Sequence, residues 1–289
     1  MAELSNLEKL GLAALMCAPV LARIDSRLAL IPTPLWLILC LVAPFLPRCS
    51  LYLPVISNGA PGRRAVALTF DDGPDPATTP HLLRLLKKHC VSATFFVIGQ
   101  RALAHPDLIR DILDAGHSIG NHSFHHDPFV SFRGQKKIAE EVHMTQRVLT
   151  DLGVTPLVFR PPVGVTYPGL WKALKELGLV AVTFSRRALD RGNRSIGRIA
   201  ERILGKVRDG DIIELHDHPP QHPASIEAWL AEVETLVSGI TLKGLKIRPL
   251  SELIGRPVDR RPPSPLEIQA AGPAGNCASK GDRTPDNRP

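Results

Sequence analysis

The sequence predicts an α/β fold, a distorted (β/α)7-8 barrel carried behind an apolar N-terminal segment. Three observations point there. Short apolar runs recur between residues 62 and 255, amphipathic helical patterns separate them, and ionisable residues gather just after the runs. Strands that alternate with helices imply parallel βαβ units. Seven such strands suggest one closed or nearly closed barrel rather than two domains.

The chain opens on apolar residues. Residues 28–47 hold no charge, and about 20 such residues suffice to cross a bilayer. Pro32, Pro34, Pro44 and Pro47 weaken a helix there. Residues 11–22 are also apolar but shorter. Neither stretch matches a barrel strand, and 28–47 is long for the apolar region of a signal peptide, so a retained anchor is favoured over a cleaved signal. Lys9, Arg23 and Arg27 precede 28–47 and Arg48 follows it. That pattern favours the N-terminus in the cytoplasm and the barrel outside. The expected division is a membrane segment over 1–57, a folded unit over 58–255 and a disordered tail over 256–289, which is rich in Pro, Gly and charge.

Within the folded unit, strand-like runs fall at 65–70, 92–98, 117–121, 157–160, 179–184, 211–215 and 246–250. The first helix covers 81–90, with leucines at 82, 83, 85 and 86, Thr79 placed to cap it and Pro80 at its first position. Pro106 opens a second over 107–115, which Gly116 ends. Further helices are expected over 134–152, 167–177, 195–207 and 224–237.

The first run leads into Thr69-Phe70-Asp71-Asp72-Gly73-Pro74. Side chains alternate along a strand, so adjacent carboxylates need not share a role. One can hold a metal while the other moves a proton. Alone, the segment reads equally well as a solvated turn. The second cluster, Gly116-His117-Ser118-Ile119-Gly120-Asn121-His122-Ser123-Phe124-His125-His126-Asp127, holds four of the eleven histidines. Imidazole and carboxylate are ordinary ligands of divalent transition metals. Two His and one Asp leave coordination positions open, as catalysis needs. A His-rich surface loop is the alternative.

Coarse topology joins the clusters. Asp71 and Asp72 follow the first run, and His122 and His126 follow the third. Arg160 ends the fourth in Phe159-Arg160-Pro161-Pro162-Val163-Gly164, Asp190 lies beyond the fifth, and His216 ends the sixth in Ile212-Ile213-Glu214-Leu215-His216. In a β/α barrel the C-terminal strand ends converge on one site.

These motifs resemble those of the polysaccharide deacetylases of the NodB-like type, carbohydrate esterase family four, over residues 62–255. The resemblance implies that Asp72, His122 and His126 bind a divalent metal, zinc by preference, with cobalt or manganese as alternatives. It implies Asp71 as the general base oriented by Arg160, His216 as the general acid oriented by Asp190, and the Val163 N–H, beside Pro162, as an oxyanion donor. The implied activity is hydrolysis of N-acetyl groups from N-acetylglucosamine-containing glycans, which include peptidoglycan, chitin-like oligosaccharides and lipid-linked sugars. An amide is a poor electrophile and water a poor nucleophile, and a divalent metal helps both. The amine must leave protonated, which suits histidine. The alternatives are hydrolysis of a non-sugar amide and a catalytically silent glycan-binding module. The expected location is a bacterial cell membrane, with the catalytic domain outside the cytoplasm.

The chain departs from the family pattern at Val163, where relatives often carry an aromatic residue, and at Arg191, where many carry Trp. His117 and His125 receive no role beyond support or surface. The formal net charge is +7, of which residues 62–255 carry the larger part without a basic run, so nucleic-acid binding is a poor reading. Cysteines 17, 40, 49, 90 and 277 show no C-x-x-C spacing and are odd in number, so no disulfide framework follows. Nothing in the pattern sets an oligomeric state.

Overall fold

The computed structural model describes residues 5–222 and 225–261. At the start, Ser5 and Glu8 form a capping box. The Ser5 hydroxyl accepts from the Glu8 N–H at 3.2 Å, and the Glu8 carboxylate accepts from the Ser5 N–H at 2.7 Å. Helix α1 (Asn6–Ala22) then packs antiparallel to α2 (Pro32–Val42). Close approach needs Gly11, because a Cβ there would sit 2.7 Å from the Trp36 ring. The base of this hairpin is tied to the chain that leaves it. Leu7 N–H donates to Leu51 O at 3.0 Å, and the Asn6 side chain donates to Ser50 O at 2.8 Å. Away from the base the apolar side chains lie bare. Leu15, Met16, Val20, Leu30, Leu35, Leu41 and Phe45 are all exposed. Leu28–Phe45 is the one helical stretch, among the described residues, long and apolar enough to cross a membrane.

The body is built on parallel strands: β1 (Val55–Ile56), β2 (Ala65–Asp71), β3 (Thr94–Val97), β4 (Ser118–Asn121), β6 (Val158–Phe159), β7 (Val180–Val182), β8 (Arg186–Arg187), β9 (Ile212–His216) and β10 (Lys246–Ile247), with β5 (Thr155–Pro156) lying just before β6. The order across the sheet is β1-β7-β6-β4-β3-β2-β9-β8, and β10 pairs with the start of β2. Residues 183–185 lead straight from β7 into β8. Thr183 N–H donates to Ile56 O at 2.9 Å and Ser185 N–H to Ile212 O at 3.0 Å. One bent segment therefore supplies the second strand and the last strand of the order and curls the sheet into the distorted barrel.

Helices α3 (Thr79–Lys88), α4 (Gly99–Ala104), α5 (Pro106–Asp114), α6 (Gln135–Asp151), α7 (Leu170–Glu176), α8 (Ile199–Leu204), α9 (Ile226–Leu242) and α10 (Leu250–Ile254) complete the unit. Alternation along the strands sorts the side chains. On β2, Val66, Leu68 and Phe70 join the outer core, which includes Leu82, Ile109, Ile203 and Trp229. Ala65 and Ala67 face inward with Phe96, Val158, Val182 and Ile212. Thr69 and Asp71 share their parity and continue the inner line toward the strand end.

Several expected boundaries move, each for a local reason. Thr79 does not cap the first helix. Its hydroxyl is engaged with the Asp75 N–H at 2.8 Å and the Asp217 carboxylate at 2.6 Å. The run 246–250 stops at Ile247, because Pro249 can donate no ladder hydrogen bond and α10 begins after it. The run 179–184 divides at the bend between β7 and β8. The folded unit also passes the expected boundary at 255. Strand β11 (Asp259–Arg260) pairs antiparallel with β5, Val258 is buried, and Asp259 accepts from the Ile119 N–H at 2.7 Å. The rest of the expected tail lies outside the described residues.

Candidate active site

The C-terminal ends of β2, β4, β6 and β9 open into a cleft of about 640 Å³ lined by Asp71, Asp72, His122, His126, Val163 and His216, among others. Thus the strand-end residues singled out in the sequence do converge. The buried Arg160 and Asp190 stand directly behind them.

Asp71 ends the inner line of β2 and is buried. Arg160, fully buried, reaches it from the end of β6, with Nη1 donating to Asp71 Oδ1 at 2.7 Å and to Thr69 Oγ1 at 2.7 Å. Its other donors are occupied by Val182 O at 3.2 Å and Thr183 O at 2.9 Å, and its plane lies 4.0 Å from the centre of the Phe96 ring. The guanidinium is held on every side and cannot follow a moving carboxylate, so it fixes the direction of Asp71.

Asp72 would point away from Asp71 if the strand continued. Instead its φ is 74°, a left-handed conformation that turns the second carboxylate back into the cleft. There Oδ1 lies 3.2 Å from His126 Nε2 and 3.5 Å from His122 Nε2. The donor atoms of Asp72, His122 and His126 all fall within 4.8 Å of one another. The ring of His122 donates through Nδ1 to Arg160 O at 2.8 Å. That bond presents Nε2 to the cleft in the tautomer a cation requires. The triangle therefore fits a divalent metal by donor type, spacing and ring orientation. Its electrostatics agree. Burial opposes charge on Asp72, but the two imidazoles outweigh burial and hold the carboxyl well below its usual range. Burial likewise opposes charge on His122, and Asp71 and Asp72 raise it overall. His126 is lowered, by burial and by the neighbouring His122, which together outweigh Asp72 and Asp71.

His216 ends the inner line of β9. Its Nδ1 stands 2.8 Å from Asp190 Oδ1, and Asp190 is buried. Burial disfavours imidazolium, but Asp190, with Glu214 and Asp72, overrides it and raises His216 to about 10. The ring's other nitrogen is left for the cleft. On the far wall Val163 adopts φ 52° and is 46% exposed. Prolines precede it, and its N–H meets no acceptor among the described residues.

Residues 58–182 match the family model for polysaccharide deacetylase. A chitooligosaccharide deacetylase of Sinorhizobium fredii is 34% identical over 209 residues, which cover 70% of this chain and 97% of that protein. The chain belongs to the polysaccharide deacetylase family. Among other relatives, peptidoglycan-N-acetylglucosamine deacetylase PgdA of Listeria monocytogenes is 32% identical over 192 residues, or 66% of this chain. The match spans only 40% of that longer protein. The crystal structure of the Bc1960 peptidoglycan N-acetylglucosamine deacetylase superimposes with a TM-score of 0.65 at 28% identity, covering 71% of this chain and 95% of that one.

Two further residues of this family member are not legible from the motifs. Glu214 lies within the apolar run 211–215, yet it shares parity with His216 and faces the cleft. Its carboxylate lies 3.0 Å from Arg187 Nε and 4.0 Å from His216 Nε2, and burial pushes it up to about 7. Strict alternation back from His216 would have found it. Glu141, on α6, is buried and holds the ligand loop. It accepts from the N–H groups of Phe124 at 3.1 Å and His125 at 2.8 Å, and lies 2.7 Å from His125 Nδ1. His125 is thus turned toward Glu141, away from the Asp72 triangle. His117 sits behind β4 and accepts from the Ala93 N–H at 3.2 Å.

Proposed function

We propose that this chain hydrolyses N-acetyl groups on N-acetylglucosamine-containing glycans, adding water across the amide to release acetate and a free amine. The observation that carries the reading is the meeting of three pairings in one cleft: the Asp72–His122–His126 triangle, Asp71 with Arg160, and His216 with Asp190. Binding alone needs no such combination. A divalent cation held by Asp72, His122 and His126 would supply Lewis-acid polarisation of the amide carbonyl, and two His with one Asp suit zinc.

The protein's own groups account for the proton movements. Asp71, oriented by Arg160, takes a proton from the attacking water. The carbonyl oxygen gains charge, and the free Val163 N–H donates to it, a contact of the kind worth about 3–4 kcal/mol. His216, held protonated by Asp190, delivers a proton to the nitrogen as the C–N bond breaks. Water is thereby split between acetate and amine, and the next cycle needs one proton moved back to His216. The relatives are deacetylases named for peptidoglycan N-acetylglucosamine and for chitooligosaccharide. Both present the 2-acetamido group that this cleft would take.

The bare apolar hairpin supports attachment to a lipid bilayer, since contiguous exposed apolar surface of this extent marks such contact. The expected arrangement, with residues 5–7 and the barrel on opposite sides, does not suit a hairpin whose two ends are hydrogen-bonded together at Leu7–Leu51 and Asn6–Ser50. In our reading both ends of the hairpin lie on the catalytic side, and its turn, with Arg23, Asp25 and Arg27, reaches the opposite interface. Its exit meets the catalytic loops. Pro44 O accepts from the Thr166 N–H at 3.2 Å and Pro47 O from the Thr183 hydroxyl at 2.5 Å. The cleft would then work close to the membrane surface.

The test is acetate release by the full chain in detergent, supplied with chitooligosaccharides and with purified peptidoglycan, with zinc, with chelator, and as Asp71→Asn. Metal-dependent release that vanishes in the variant is expected. A protein that binds one metal per chain yet releases acetate from neither glycan would sink the reading.

A further inference from the structure

The loop over 189–194 crosses the cleft beside the Asp72 triangle. A Cβ placed on Gly192 would lie 3.8 Å from Asp72 Oδ2, so the loop runs close beside that carboxylate. The loop is built in place. Asn193 Nδ2 donates to His216 O at 3.0 Å and His218 O at 2.6 Å, and Ser195 N–H donates to Asp190 O at 2.8 Å. Leu189, Arg191, Gly192 and Asn193 all take left-handed φ values between 55° and 67°. This winding buries Asp190 and Asn193 beneath the loop and sends Arg191 and Arg194 into the cleft lining.

Four arginines line the cleft: Arg101, Arg187, Arg191 and Arg194. Two have carboxylate partners, Arg101 with Asp75 at 3.5 Å and Arg187 with Glu214 at 3.0 Å. Arg191 and Arg194 lie within 4 Å of no carboxylate among the described residues. The same lining holds no Phe, Tyr or Trp among the described residues. A cleft for a neutral sugar would be expected to offer a ring for stacking and would have no use for two unpaired guanidiniums. Both arginines are exposed, so their charge is uncommitted within the protein and its pull on an anion depends on salt.

We propose that Arg191 and Arg194 form a subsite for an anionic oxygen group, phosphoryl or carboxylate, carried by the N-acylated sugar that enters the cleft. The guanidinium fork matches both groups in shape and charge. The inference takes the sugar from the deacetylase reading, but the anion rests on the arginines alone.

The experiment measures binding and turnover separately. The full chain in detergent, stripped of metal so that no phosphate can bind through it, is titrated at low salt with N-acetylglucosamine, N-acetylglucosamine 1-phosphate and N-acetylmuramic acid. One or two charge-assisted hydrogen bonds should make an anionic sugar bind roughly 10- to 100-fold more tightly than the neutral one. The advantage should shrink as salt rises. It should fall to within about threefold of unity in the Arg191→Gln, Arg194→Gln double variant, whose melting temperature reports that it is folded. A phosphoryl preference would point to a lipid- or nucleotide-linked sugar, and a carboxylate preference to a muramyl sugar. Equal binding of neutral and anionic sugars, or a preference that survives both substitutions, overturns the subsite. Metal-loaded protein is then assayed for acetate release from the same three sugars. Release from the neutral sugar with no anionic preference removes the subsite and leaves the deacetylase. An arginine-dependent preference without release from any sugar does the reverse.

Discussion

Replacing Glu141 by Gln should loosen the loop that carries His126 without touching Asp72, His122 or His126. One buried carboxylate restrains the loop through the N–H groups of Phe124 and His125 and the ring of His125. Bonds to a charged acceptor are worth about 1.5–3 kcal/mol and neutral ones about 0.5–1.5 kcal/mol. Gln keeps one acceptor oxygen for the backbone pair but turns an amide N–H toward His125. Weakening two contacts and compromising the third should cost roughly 1–3 kcal/mol of loop order. His126 follows in the same loop, so the loss reaches the metal, and affinity should fall roughly 10- to 100-fold. Competition with a chromophoric zinc chelator measures it, and a melting curve of the metal-free protein separates loosening from unfolding. A folded variant whose zinc affinity stays within about threefold of the parent would refute the reasoning.

Other outcomes follow from the same geometry. Asp190→Asn removes the group that chiefly raises His216. An acid works while protonated, so a folded pKa near 10 keeps it active into the alkaline range, and the variant should shift the basic limb of the kcat/KM profile downward by more than one pH unit. A limb that does not move would count against His216 as the proton donor. Burial, with Arg261 beside it, pushes His117 down to about 4 from 6.5. The unfolded chain then binds the extra proton between those values, so stability is present above about 6.5 and drains away toward pH 4, by up to roughly 3 kcal/mol. His117→Gln should flatten that part of the stability curve, and urea melts at pH 7 and 4.5 would expose a failure to do so. For the hairpin, epitope tags ahead of residue 5 and after the catalytic unit should be cleaved together by protease added to spheroplasts. Protection of one tag alone would mean a single crossing.

Much of the site could be read without coordinates because it rests on local rules. Apolar runs separated by helical patterns mark βαβ units, and polar residues at the runs' C-terminal ends mark the cleft. Asp71, Arg160 and His216 are legible for that reason. Glu214 was legible in principle, through its parity with His216, but an apolar run hides one carboxylate easily. Glu141 was not. It lies mid-helix among other charges, and only the packing of α6 against the loop separates it from solvated neighbours such as Glu140.

The sequence by itself determined which residue types stand at the strand ends, because strand period and turn chemistry act over a few residues. Only the tertiary structure decided how they face one another. The left-handed turn at Asp72 puts adjacent carboxylates on one side of the strand. Residues 183–185 bend one segment into two sheet positions. The 189–194 loop is pinned by His216 and His218 from more than twenty residues away. The hairpin closes Asn6 onto Ser50. Each of these is held by contacts between distant residues, and such contacts leave no periodic trace along the chain.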